Sequence, residues 1–267
     1  MTTSEWLKKY NIKLKKSLGQ NFLSVPKIAE EIVCKSMVTE DDTVIEIGSG
    51  IGILTEEIAK RAKRVISFEI DERFKPLLTE RLKNYDNIEM FNMDFLKVDL
   101  SMFKDYKNIK YIANIPYYIS SPILEKILKE SPKFHYAVMM FQKEFGERMV
   151  AKSGKSYSPL SIFVQIYCDI EKIMNVSKAN FVPIPKVDSV VLKLTPKYKY
   201  IEEIDPDKFM KFIHQCFSSR RKTLKNNLKN VINNPESILK ELGLNELVRP
   251  EEIPIETYIR MYKLLEG

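Results

Sequence analysis

Residues 43–52 read Thr-Val-Ile-Glu-Ile-Gly-Ser-Gly-Ile-Gly, and no other stretch limits the fold as much. The first half is a run of β-branched residues, which favours an extended strand. The second half sets Gly48, Gly50 and Gly52 at alternate positions, so three of the chain's eight glycines fall together. Glycine lets the backbone turn sharply and lets a ligand approach the main chain with no Cβ in the way. A helical pattern follows to about Ala62. Strand, glycine turn and helix in that order form the opening unit of a nucleotide-binding crossover in a parallel, helix-covered sheet. A tight turn with no ligand is the plain alternative, and the clustering of a scarce residue disfavours it.

The flanking sequence continues the alternation. Arg64–Ile70 reads as a second strand and Glu72–Leu82 as a second helix. Asn87–Asn92, Ile109–Ala113 and Tyr136–Phe141 continue the strand series, and Ser121-Pro122 has the chemistry of a helix start. After Phe141 the rhythm changes. Glu144–Ala151 and Pro159–Tyr167 look helical, whereas Asp169–Val176 and Lys186–Thr195 look like two strands with no helix between them. They predict an antiparallel pair at a sheet edge, linked through the extended, Pro-restricted Phe181-Val-Pro-Ile-Pro185. Beyond the charged segment 196–205 the pattern is purely helical, with Phe209, Phe212, Ile213 and Phe217 on one face. The expected fold is α/β: a Rossmann-like, mostly parallel sheet of seven strands with an antiparallel edge, then a small all-α domain. The expected division is 1–200 and 201–267.

Composition narrows the partners. The chain of 267 residues carries 43 Lys and Arg against 36 Asp and Glu, a net charge of +7. That suggests a polyanion without choosing between RNA, DNA and an anionic membrane. No apolar run approaches the ~18 residues that span a bilayer, and Met1–Lys16 lacks the apolar core of a signal peptide. Cys34, Cys168 and Cys216 lie far apart, and only two histidines are present, so neither a disulfide framework nor a zinc site is expected. Reduced cytoplasmic thiols and no metal fit these counts, and the expectation is a monomer with no membrane contact.

The glycine turn has acidic companions. Glu46 stands on the strand before it, where a carboxylate would repel a pyrophosphate and better suit a cation such as S-adenosylmethionine, with its amino group and sulfonium. Glu69 ends the second strand, where a carboxylate accepts both ribose hydroxyls. Asp94 follows the third strand and could accept from the adenine amine, with Phe95 against the ring. Each is weak alone. As a series at three successive strand ends they are much stronger, because ligands of open α/β sheets sit beyond the carboxyl ends of the strands.

Asn114-Ile-Pro-Tyr117 follows the fourth strand and should share that edge. The exocyclic amine of adenine is a poor nucleophile because its lone pair is delocalised into the ring. The Asn114 carboxamide oxygen and the Ile115 carbonyl could both accept its hydrogens and favour a more tetrahedral nitrogen. Pro116 stiffens the backbone, and Tyr117 offers a π-face to a base out of its stack. Methylation at a pyrimidine carbon would call for a cysteine beside a proline, and no cysteine here has one.

On these motifs the chain resembles the ribosomal RNA adenine dimethyltransferases, most closely the small-subunit (16S) branch. The resemblance covers about residues 13–267. Lys16-Ser-Leu-Gly-Gln-Asn-Phe-Leu23 is similar to the family's N-terminal cofactor motif, which implies that Gln20, Asn21 and Leu23 meet S-adenosylmethionine. It implies the same of Ile70, beside Glu69. Phe181-Val-Pro-Ile-Pro-Lys-Val-Asp-Ser189 resembles a further motif, which implies that Phe181 stacks on the target base opposite Tyr117. Arg220-Arg-Lys-Thr-Leu-Lys-Asn-Asn-Leu228 resembles the C-terminal domain signature. Ile115 and Tyr118 depart from the Asn-Leu-Pro-Tyr-Asn commoner in the small-subunit branch, toward the large-subunit (23S) enzymes. The resemblance implies dimethylation of two adjacent adenosines near the 3′ end of 16S rRNA in the 30S particle.

The charge excess is local. Lys208, Lys211, Arg220, Arg221, Lys222, Lys225 and Lys229 fall in one stretch that contains no acid, and its excess equals that of the whole chain. Met1–Gln20 adds five lysines against one glutamate. These are the expected RNA contacts, through phosphate rather than a base code.

Overall fold

A computed structural model of the chain describes residues 1–14, 19–229 and 231–266. The chain divides into two compact units. One holds Met1–Gly146 and Glu171–Pro196, the other Glu147–Ile170 and Lys197–Gly267. The sequence-based cut near residue 200 follows chain order. The compact units instead place residues 147–170 with the helical tail, because Tyr157, Ile162 and Ile166 pack into its apolar cluster.

The strands are β1 (Phe22–Leu23), β2 (Thr43–Ile47), β3 (Arg64–Phe68), β4 (Ile88–Phe91), β5 (Ile109–Asn114), β6 (Tyr136–Gln142), β7 (Cys168–Val176), β8 (Phe181–Val182) and β9 (Ser189–Pro196). The helices are α1 (Thr3–Lys9), α2 (Pro26–Lys35), α3 (Ile53–Ala59), α4 (Lys75–Leu82), α5 (Ser120–Glu130), α6 (Lys143–Val150), α7 (Pro159–Tyr167), α8 (Pro206–Cys216), α9 (Leu224–Leu228), α10 (Pro235–Glu241) and α11 (Ile255–Glu266). A seven-stranded sheet runs β4-β3-β2-β5-β6-β9-β7. The pairs from β4 to β6 are parallel and β9 joins β6 antiparallel. The order reverses between β2 and β5, which is where ligands of open α/β sheets bind.

The parity of each strand decides which side chains meet which helices. Val44, Val65, Ile112, Val138 and Val191 share one cluster with Ala29 and Val33 of α2, Ile58 of α3 and Leu77 of α4. The opposite face carries Phe68, whose ring lies 5.5 Å from Phe95 and 6.3 Å from Phe103. On that face too, the Tyr111 hydroxyl meets that of Ser131, just after α5, at 2.7 Å. α5 begins at Ser120 without a side-chain cap, one residue before the Ser121 expected to open it.

A second sheet was not foreseen. β1 pairs antiparallel with β8, Phe22 opposite Val182 and Leu23 opposite Phe181. It fastens the N-terminal segment, and the Thr3 hydroxyl at the start of α1 donates to the Leu23 carbonyl at 3.0 Å. In the other unit Phe209, Phe212 and Ile213 of α8 pack with Tyr258, Ile259 and Met261 of α11. Among the described residues no helix is long and apolar enough to cross a membrane.

Candidate active site

A cavity of about 250 Å³ opens at the carboxyl edge of the parallel strands. Ile47 and Gly48 reach it from the end of β2, Glu69 and Ile70 from just beyond β3, Met93 and Asp94 from beyond β4, and Asn114 from β5. Of the residues expected to meet cofactor or substrate, Gln20, Asn21, Gly48, Gly50, Glu69, Ile70, Asp94, Phe95, Asn114, Ile115, Pro116 and Tyr117 all line it.

The glycine turn needs its glycines for two reasons. Gly48, Gly50 and Gly52 all have positive φ, 78°, 55° and 77°. In addition, a Cβ at Gly50 would lie 2.6 Å from the Phe22 ring. The Gly50 amide donates to Glu69 Oε2 at 2.7 Å, and the Asp71 amide donates to Glu69 Oε1 at 2.9 Å. Both carboxylate oxygens are thereby fixed, and each keeps a lone pair. Burial raises the pKa of Glu69, and these two amides oppose the rise.

Asn114 ends β5 with its amide Nδ2 donating to the Asn21 carbonyl at 3.3 Å. That bond turns Oδ1 away from Asn21. The Tyr117 hydroxyl meets the hydroxyl of the fully buried Ser189 at 2.6 Å, across the sheet from β9. Asp94 Oδ1 accepts from the Leu96 amide at 3.0 Å. The charged side chains lining the cavity are Glu69 and Asp94, and among the described residues no lysine or arginine lines it. Such a wall suits a ligand with hydroxyls and positive charge, and it repels a pyrophosphate.

Four expected site residues lie elsewhere. Glu46 does not reach the cavity. Its side chain is fully buried beneath the turn, where Oε2 accepts from Thr55 of α3 at 2.7 Å and from Ser67 of β3 at 2.5 Å. On β2 it has the parity of Val44 and so faces α3. Burial pushes its pKa up to about 7, opposed by the two hydroxyls. Leu23 and Phe181 oppose one another in the small sheet and point into the core, with Phe181 only 1% exposed. Alternation is the reason: Phe22 takes the cavity side of β1, so Leu23 takes the other. Gly52 caps the start of α3, and a Cβ there would lie 2.9 Å from Leu78 rather than against a ligand.

The structure also adds residues that pattern reading passed over. Phe22 and Tyr118 line the cavity, and a Cβ on Gly19 would lie 3.0 Å from the Tyr118 ring. Both stand inside motifs quoted above, but their roles depend on facing. The Lys16-to-Leu23 motif is only partly visible, since residues 15–18 lie outside the described residues.

The seven basic residues expected to bind RNA all belong to the second unit. Lys208, Lys211, Arg220, Arg221, Lys222 and Lys229 are exposed. Lys225 is half-buried and pairs with Glu246 at 2.6 Å and Glu236 at 3.6 Å. Arg220 Nη2 donates to the Tyr157 carbonyl at 2.7 Å. Lys155 and Arg249, outside the acid-free stretch, line one open depression with Arg220 and Arg221.

Comparison with known proteins agrees with this geometry. The family model described as "Ribosomal RNA adenine dimethylase" matches residues 11–267. A protein of Thermotoga neapolitana named ribosomal RNA small subunit methyltransferase A is 45% identical over 266 residues, covering 99% of this chain and 96% of that protein. One of the same name from Bacillus pumilus is 42% identical over 278 residues, covering 99% and 95%. The crystal structure of a dimethyladenosine transferase from Plasmodium falciparum superposes with a TM-score of 0.79 at 31% identity, covering 92% of this chain and 97% of that one. A 23S rRNA methyltransferase structure follows at 0.74 and 27% identity, covering 92% and 100%. Matched from residue 11 to its last, the chain belongs to the ribosomal RNA adenine dimethylase family.

Proposed function

We propose that this chain uses S-adenosylmethionine to dimethylate the exocyclic amines of two adjacent adenosines near the 3′ end of 16S rRNA. The observation that carries the proposal is the placement of Asn114-Ile-Pro-Tyr117 on the wall of a cavity whose charged groups are both carboxylates. The same cavity fits the cofactor. Glu69, held by two amides, has lone pairs for a ribose diol, and Asp94 has a second oxygen for the adenine amine. Gly48 and Gly50 present bare backbone, while Phe95 and Ile70 supply apolar walls. Bound there, S-adenosylmethionine supplies an electrophilic methyl group on a sulfonium.

The chain's own residues then prepare the nucleophile. Asn114 gives an amide hydrogen to the Asn21 carbonyl and so offers Oδ1 to one hydrogen of the adenine amine. The Ile115 carbonyl accepts the other, on a backbone stiffened by Pro116. Two acceptors draw the nitrogen toward a tetrahedral shape, which frees its lone pair to point at the methyl group the cofactor would supply. The proton leaves the nitrogen afterwards, so no strong base is required. Tyr117 faces the base from a ring steadied by Ser189. Phe181 would have to leave the core to stack opposite, whereas Phe22 and Tyr118 are among the aromatic groups already at the wall.

The relatives named for the small ribosomal subunit favour 16S over 23S rRNA, and the exposed cations of the second unit suit the phosphate backbone. The reading extends to a monomer acting in the cytoplasm on the 30S particle. Methyl transfer to undermethylated 30S particles, with the modified nucleotides mapped, tests it. Wild-type protein should modify two adjacent adenosines, and Asn114→Ala should lose at least about 100-fold in rate, the scale of a lost transition-state contact. Methylation of naked 23S rRNA in place of 30S particles would move the assignment to the large-subunit branch. Tight RNA binding with no S-adenosylmethionine binding would point to a non-catalytic assembly factor.

A further inference from the structure

The turn after β3 carries an ion pair that touches neither the cavity nor any residue of Asn114-Ile-Pro-Tyr117. Arg73 donates from Nε to Asp71 Oδ1 at 2.8 Å and from Nη2 to Asp71 Oδ2 at 2.5 Å. Two further bonds of the pair reach the N-terminal segment. Arg73 Nη1 donates to the Lys13 carbonyl at 2.7 Å, and Gln20 Nε2 donates to Asp71 Oδ2 at 2.8 Å. Asp71 is itself buried, and its backbone amide is one of the two that fix Glu69. The residue after Gln20 is Asn21, whose carbonyl receives the Asn114 amide. A continuous line of bonds therefore runs from Arg73 through Asp71 and Gln20 to the backbone that orients Asn114.

We infer that Asp71 and Arg73 are positioning residues for Asn114, acting through the Gln20–Asn21 backbone. The inference rests on the proposed methyl transfer to adenine. Its physical content is the orientation of one carboxamide. With the Asn21 carbonyl in place, Asn114 presents its oxygen to the amine. If Asn21 drifts, the amide loses that acceptor and is free to present its NH2 edge, which repels the amine hydrogens. A bidentate arginine–carboxylate pair is suited to this task, because it fixes direction as well as distance. Arg73 holds the Asp71 carboxyl well below the usual range, at about 2, so the pair stays charged throughout neutral pH.

Asp71→Asn keeps the side-chain volume and the backbone amide to Glu69 but weakens both the ion pair and the grip on Gln20. Arg73→Ala removes the hold on Lys13. For the full chain with saturating S-adenosylmethionine and undermethylated 30S particles, each variant should lower the single-turnover methyl-transfer rate by about 10- to 100-fold. The calorimetric Kd for S-adenosylmethionine should change less than about threefold, because Glu69 keeps its bonds to both amides. Arg73→Lys should fall between, since one ammonium replaces a fork of donors. A second measurement is independent of turnover. The Asn114 side-chain amide signal in a nitrogen–proton NMR spectrum, identified by its loss in Asn114→Ala, should shift or broaden in Asp71→Asn. A purely structural role would lower thermal stability and leave the rate of the folded, saturated enzyme intact. An active wild type with a wild-type rate in both variants, or an unmoved Asn114 signal, overturns the inference. A wild type that methylates neither 30S particles nor 23S rRNA overturns the functional reading instead, and the Asn114 signal still decides the positioning role.

Discussion

At the residue scale, two side chains change meaning once their surroundings are known. Glu46 reads in sequence as a ligand for a cation and is in fact a buried carboxyl whose Oε1 has no hydrogen-bond partner among the described residues. An orphan oxygen in that position favours the neutral acid, consistent with a pKa pushed up to about 7. The unfolded chain releases this proton near the ordinary carboxyl value, so between the two the folded state holds a proton that the unfolded state lacks. Its contribution is therefore most favourable below the ordinary value, falls as pH rises toward about 7, and is level above. The total is about 3 kcal/mol, by the ~1.4 kcal/mol that accompanies each pKa unit. Glu46→Gln should flatten this dependence, measured as the difference in denaturant stability between wild type and variant across the range. Parallel pH profiles would show that Glu46 is already ionised in the fold. Ser189 carries a second prediction. Its hydroxyl is the recorded partner of the Tyr117 hydroxyl, so Ser189→Ala and Tyr117→Phe break the same bond. Each should cost about fivefold in methyl-transfer rate, from ~1 kcal/mol for a neutral hydrogen bond, and the double variant should cost little more.

At the element scale, close approach explains residues that no motif marks. Gly146 lies within α6, and a Cβ there would sit 2.3 Å from Val190 Cγ1 on β9. Helix propensity alone would make alanine favourable by about 1 kcal/mol. The branched Val190 is buried on its strand, so a 2.3 Å approach forces it or the helix to shift. Gly146→Ala should therefore destabilise by about 1–3 kcal/mol, the usual cost of overpacking. Val190→Ala opens the space, so the double variant should be more stable than the sum of the two single losses implies. Thermal melts of the four proteins check this. The same reasoning applies to β1 and β8, each two residues long and marginal alone. They hold because Leu23 and Phe181 bury on one side while Phe22 covers the glycine turn on the other.

At the scale of the whole molecule, charge that is contiguous in sequence is not uniform in space. The acid-free stretch from Lys208 to Lys229 meets acids from elsewhere in its own unit, and Glu236 and Glu246 claim Lys225. Lys222 is exposed and makes no such pair among the described residues. If the second unit binds rRNA through phosphate, Lys222→Ala should reduce the slope of log affinity against log salt by ~0.7–0.9, one phosphate contact. Lys225→Ala should move the slope much less, because its charge is already compensated. Binding of 16S rRNA across a potassium chloride series distinguishes the two, and equal slopes would show that Lys225 leaves its glutamates for RNA.

What the sequence determined by itself was the class of the sheet and the edge at which its site lies. Those features are written in local signals: β-branched runs and helical periodicity, glycines clustered where φ turns positive, carboxylates at successive strand ends, and Asn114-Ile-Pro-Tyr117 after another. Nine residues picked on that basis line one cavity, and the family resemblance added Gln20, Asn21 and Ile70 to the same wall. Tertiary structure alone decided which way Glu46, Leu23 and Phe181 face, which segments pack with the helical tail, and which acids pair with Lys225. Alternate residues of a strand take opposite sides, and the buried side is set by elements far along the chain. Glu46 meets Ser67, Leu23 meets Phe181 and Asn114 meets Asn21, three pairings with no trace in the local sequence around any of these residues.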